Sequence, residues 1–198
     1  DRPVTDHSLL TQYITQLRSS AISLLAAEWI DERTASSLGV TNGTDVILLR
    51  LGGNDRFVRG QRAALDAIAR TTPCDPAVWG ALARYDDDAD TVLRLSGPVS
   101  ALPARLTRLR TALGECGAQA ALHASIGRGS IRVIVPQATA AVRTVLQQRE
   151  PETSRLVERL PASWWPSEAD PFAGGLAARI RHAFDPQTLC NRRQVTDA

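Results

Sequence analysis

The chain has 198 residues, enough to bury one sizeable core or two small ones sharing a sheet. Its hydrophobic fraction of 43% and charged fraction of 22% are those of an ordinary globular protein, and its net charge is only +2. That balance, with arginines scattered along the chain, argues against nucleic-acid or anionic-membrane partners, and no apolar run approaches the roughly 20 residues that span a bilayer.

Thr5 and Asp6 are placed to cap a helix whose Leu9, Leu10, Tyr13, Ile14 and Leu17 share one face. The apolar run AISLLAAEWI (21–30) reads as either a strand or a buried helical turn. DERTASSLGVTNG (31–43) reads as a loop, with Asn42-Gly43 as its turn signal. DVILLRL (45–51) reads as a buried strand ended by Gly52-Gly53. Asn54 or Asp55 then starts a helix to about Arg70 that buries Val58, Leu65 and Ile68, and a shorter one follows Asp75-Pro76.

The pattern sharpens from residue 90. TVLRLSG (91–97) is a strand stopped by Gly97-Pro98, and Ser100 opens a helix with Leu102, Leu106, Leu109 and Leu113 at helical spacing. AQAALHASI (118–126) and SIRVIVP (130–136) form a tight hairpin around Gly127-Arg128-Gly129. A helix over 137–148 buries Ala141, Val142, Val145 and Leu146, and Ser154 to Leu160 forms a last strand. Strand, helix, strand, strand, helix, strand is the split βαβ order. It predicts an α+β fold with a ferredoxin-like antiparallel sheet, helices on one face, and an irregular C-terminal tail. The domain is expected over 1–160, with the tail over 161–198.

Cys74, Cys116 and Cys190 form neither a CxxC pair nor a disulfide framework, so they read as free thiols in a reducing cytoplasm. The chain contains no methionine, which reads as a segment of a longer chain.

In the tail, LPASWWPSEADPFAGG (160–175) is a Pro/Gly/Trp-rich loop. GGLAARIRHAFDPQTLCNRRQ (174–194) gives a short helix stopped by Asp185-Pro186. The Phe184-Asp185-Pro186 helix end followed by Asn191 resembles the C-terminal signature of FAD-linked oxidases of the vanillyl-alcohol-oxidase superfamily. It departs from that signature at Arg192 and Arg193, where Pro and Gly are usual. Over residues 20–194 the pieces VILLRLGGND, DTVLRLSGPVSALPARL and ALHASIGRGSIRVIVP are similar to the cap domain of the FAD-binding subunit of glycolate oxidase.

The resemblance implies an FAD-dependent 2-hydroxy acid dehydrogenase whose N-terminal domain, absent from these residues, binds most of the FAD. This part covers the flavin and shapes the substrate cavity, and the isolated chain is expected to be inactive. A catalytic flavoprotein subunit and an iron–sulfur subunit are the further partners implied, in a cytoplasmic assembly without membrane insertion. Asn191 and His123 become candidate flavin contacts. Arg128 and Arg132 become candidate substrate-carboxylate ligands, since guanidinium binds carboxylate bidentately. Related dehydrogenases carry a metal-binding histidine where this chain has Arg132, and arginine cannot ligate a metal, so no metal site is expected.

Each candidate also has a structural reading: His123 as a hydrogen-bonded sheet residue, and the two arginines as exposed. Asp86, Asp87, Asp88 and Asp90 read as a solvated loop, lacking the later Glu and the sharp Gly turn of a calcium site. Trp164 and Trp165 read equally as interface or packing residues. The competing function is a ferredoxin-like interaction or ligand-binding module with no redox chemistry.

Overall fold

In a computed structural model, residues 7–41, 43–148, 150, 152–167 and 175–187 are described. The elements are α1 (His7–Ser19), β1 (Ala26–Ile30), α2 (Glu32–Ser37), β2 (Val46–Arg50), α3 (Asp55–Ile68) and α4 (Ala77–Ala83). After them come β3 (Thr91–Ser96), α5 (Leu102–Glu115), β4 (Ala121–Ser125), β5 (Ser130–Val135), α6 (Ala140–Gln147), β6 (Ser154–Arg159) and α7 (Gly175–Phe184). The chain divides into two compact units, Asp1–Arg159 and Leu160–Ala198. No helix among the described residues is long and apolar enough to cross a membrane.

The first unit holds one antiparallel sheet of six strands in the order β2-β1-β4-β5-β3-β6. Its last four strands are the predicted split βαβ, because β5 lies between β4 and β3 while β6 pairs with the far side of β3. β1 and β2 extend the sheet beyond β4. The fold is therefore α+β, with a ferredoxin-like antiparallel core.

Side chains alternate across a strand, so Trp29 and Ile30 mark opposite faces. On Trp29's face lie Leu122, Ala124, Ile131, Val133 and Leu93, all buried. α5 covers this face: its Arg110 guanidinium sits 5.1 Å above the Trp29 ring, and α6 packs beside α5. On the other face Ile30 and Leu48 cluster with Ala35 of α2 and with Val78 and Leu82 of α4. The two helices of the split βαβ thus share one face, while α2 and α4 close the opposite face at its β1–β2 end.

Several expectations need correction. The segment expected as a loop over 31–43 contains α2, nucleated by Asp31, whose side chain accepts from Thr34 N at 2.8 Å. Asp31 also accepts from Leu122 N at 2.6 Å, so its carboxylate fastens the helix start to β4. β2 is an edge strand with only Leu48 buried, not a buried strand. α3, capped by Asn54, buries Leu65 alone, leaving Val58 and Ile68 half-buried. A 3-10 turn over Val99–Ala101 precedes α5. α6 starts only at Ala140, behind the Thr139 cap, and its Ala141 is exposed. The expected Thr5 and Asp6 cap lies outside the described residues, as does Asn42 of the Asn42-Gly43 turn.

In the second unit, Leu160 and Trp164 are buried and Trp165 is half-buried. α7 ends at Phe184, directly before Asp185-Pro186.

Candidate functional site

The sheet face carrying Ile30 changes character beyond the α2–α4 cover. Strand register aligns Ile30, His123, Arg132, Arg94 and Leu156 straight across β1, β4, β5, β3 and β6. The neighbouring rank across the same strands is Glu28, Ser125, Ser130, Ser96 and Ser154. A fully covered sheet would place apolar residues at these positions. Here charged and hydroxyl groups replace them, and Leu156 is 52% exposed, so this part of the face is open.

The charges are organised by three carboxylates. His123 Nε2 lies 2.8 Å from Glu28 Oε2, a diagonal contact between β4 and β1. A carboxylate can only accept, so Nε2 carries the hydrogen. His123 Nδ1 is buried and has no hydrogen-bond partner among the described residues. Arg132 donates to Glu158 Oε2 from Nε at 2.9 Å and from Nη2 at 2.6 Å, and reaches Asp86 Oδ2 from Nη2 at 2.8 Å. Arg94 Nη2 meets the other Glu158 oxygen at 2.5 Å.

Glu158 lies on the same face as Leu156 and the two arginines by the two-residue alternation of β6. Val157 pairs with Leu93 and Arg159 with Val92, leaving Glu158 as the extra residue of a bulge.

The candidate residues are thus separated by their surroundings. His123 and Arg132 are adjacent on the open face, though each is already bound to a carboxylate of the chain. Arg132 has filled its fork with Glu158 and a further donor with Asp86, which leaves it poorly placed to take a substrate carboxylate. Arg128 sits in the 126–129 link between β4 and β5 and is exposed, outside both ranks. Asn191 lies outside the described residues.

Sequence reasoning did not single out Arg94, whose side chain is 40% exposed and paired with Glu158. Its signal was a lone arginine in the apolar alternation of TVLRLS. The acidic segment is also more structured than a solvated loop. Asp86 is half-buried against Arg132, and Arg159 donates to the carbonyls of Asp86, Asp87 and Ala89. Asp90 accepts from Ala138 N at 3.2 Å.

Elsewhere, Asp45 is buried beneath β2 with Oδ1 accepting from Glu32 N at 3.0 Å and Oδ2 from Arg110 at 2.8 Å. Burial pushes its carboxyl above the usual range, against the opposing pull of Arg110. Cys74 is exposed, and the Cys116 thiol donates to Leu113 O. No group of three or more His, Cys, Asp or Glu suited to a metal ion occurs among the described residues. No family model and no curated protein matches the chain.

Proposed function

We propose that this chain is the C-terminal, substrate-side region of an FAD-dependent oxidoreductase acting on a small 2-hydroxy acid, like the FAD-binding subunit of glycolate oxidase. The open polar part of the sheet face carries this reading. A cap wall over a ring and a small hydroxy acid needs donors fixed on rigid strands, and the ranks through Arg94 and Ser130 supply them.

The residues fit only part of FAD. Arg94, His123 and the serines match the polar atoms of a flavin ring or substrate. No G-x-G-x-x-G run follows a strand among the described residues, and the Gly52-Gly53 pair between β2 and α3 leads into a helix start already capped by the Asn54 side chain. Most of the cofactor would therefore be held by an N-terminal FAD-binding domain, with Asn191 of the tail and the catalytic and iron–sulfur subunits completing a cytoplasmic assembly.

Bound FAD supplies the redox chemistry. The contribution of this chain is binding and exclusion. Arg94 takes the substrate carboxylate, Glu158 holds Arg94 in place, and the sheet shields the site from water. The exposed Ile180 and Phe184 of α7 suit a segment that docks elsewhere. They also favour the second reading, an interaction module without a cofactor.

The test is to express the whole reading frame containing Asp1 and record its visible absorption and its oxidation of glycolate with an artificial electron acceptor. A yellow protein whose activity falls in Arg94→Gln supports the proposal. A colourless protein that still binds a partner through α7 leaves the interaction module.

A further inference from the structure

Arg105 is the most deeply buried charged residue among the described residues, 2% exposed. It belongs to the first turn of α5, and helical side chains lean back toward the helix N-terminus. Its guanidinium accordingly reaches the loop that joins β3 to α5. Nη2 donates to Gly129 O at 2.5 Å, and a Cβ at Gly97 would stand 3.0 Å from Nη1.

That guanidinium forms no ion pair with any of the described residues. Nε and Nη1 have no hydrogen-bond partner among the described residues. Glu150 acts on it through space, but its carboxylate is held by Arg108 at 2.9 and 3.1 Å. Burial lowers the proton affinity of Arg105, yet arginine is too basic to discharge itself near neutrality. An isolated charge so deeply placed is strongly unfavourable unless something compensates it.

The surroundings point to the same compensation. Neither the 3-10 turn nor α5 has a side-chain cap, so no side chain opposes the positive end of the 14-residue helix, whose Ala101 and Leu102 N–H groups go to the carbonyls of Pro98 and Val99. Glycines line the corner. A Cβ at Gly129 would lie 2.3 Å from Gly97 O and 3.1 Å from Val99 N. Nη2 carries one hydrogen on each edge of the guanidinium, and Gly129 takes only one of them. A complete two-donor fork therefore remains.

We propose that Arg105 and the start of α5 form a binding site for a small oxyanion, a carboxylate or a phosphate, gripped by that fork. The site is separate from the open sheet face and does not depend on the flavin reading.

The full chain is melted in sodium phosphate, sodium acetate and sodium chloride at matched ionic strength and pH, with heats of binding measured by calorimetry. Phosphate or acetate, whichever is the true class, is expected to raise the melting temperature saturably, by about 5 °C at a hundredfold excess over Kd. Chloride is expected to do neither. Arg105→Met removes the unpaired charge and should abolish the response. Arg105→Lys, which keeps the charge without the planar fork, should weaken binding about tenfold, one well-made charge-assisted bond's worth. A wild-type response no larger than that to chloride overturns the proposal. So does a response that survives in Arg105→Lys at full strength. A response seen only in Arg108→Ala, where Glu150 is released, would instead make Glu150 part of the chain's own charge balance and also overturn it.

Discussion

His123 and Arg132 face each other directly across β4 and β5, yet their polar ends turn outward to different carboxylates, Glu28 and Glu158. Two cationic groups in direct cross-strand register repel when both are charged. The carboxylates on β1 and β6 draw the two side chains apart, each holding one of them by hydrogen bonds.

Glu158 is the member on which most depends, since it holds Arg132 at two nitrogens and Arg94 at a third. Glu158→Gln keeps the shape and removes the charge, leaving Arg132 with Asp86 alone. A loss of about 2 kcal/mol is expected for a half-buried network of this kind. Urea unfolding checks it. A double-mutant cycle with Arg132→Met should return a coupling above about 0.5 kcal/mol.

Little of this network was legible beforehand, for a physical reason. The alternation in TVLRLS places Arg94 on the face opposite Leu93, but the sequence does not show which carboxylate meets it. Glu158 shares the face of Leu156 by alternation, but that alternation does not show that β6 pairs with β3, or in which register. The split βαβ itself was readable because β3, α5, β4 and β5 each keep one hydrophobic period throughout. α2 was not, since a six-residue serine-rich helix is held by Asp31 and by the packing of Ala35, not by propensity.

The two hairpin glycines look equivalent in Gly127-Arg128-Gly129, and the backbone separates them. Gly129 has φ +63 and no room for a Cβ, whereas a Cβ at Gly127 would meet nothing within 4 Å. Gly129→Ala should cost about 3 kcal/mol or more, combining left-handed strain with a clash against Gly97 O. Gly127→Ala should change stability by less than about 1 kcal/mol. Thermal melts of the two variants side by side decide it.

If the open face receives a substrate carboxylate, Arg94 is the group to change. In the assembled flavoprotein, Arg94→Gln is expected to raise KM for a 2-hydroxy acid about tenfold with a smaller change in kcat, the loss of one charge-assisted bond in binding. Arg128→Gln, in the exposed hairpin link, should leave KM within about twofold, as surface changes away from a site usually do. Steady-state kinetics on the two variants separate the face from the hairpin as the binding surface.

Asp45 offers a prediction that does not involve the function at all. Its folded pKa is raised above 3.8 chiefly by burial, with the Arg110 hydrogen bond and charge pulling the other way. Between the unfolded and folded values the native state therefore binds more protons than the unfolded chain, and stability from this group falls as pH rises. Asp45→Asn keeps an acceptor for Glu32 N and removes the titration. The stability of wild type relative to Asp45→Asn should be greatest near or below pH 3.8, decline as pH rises through the raised folded value, and then level off. Urea titrations at closely spaced pH values from the acid side to neutrality test the sign. A difference that instead grows with pH would mean that the Arg110 pair outweighs burial, and that Asp45 is held ionised beneath β2.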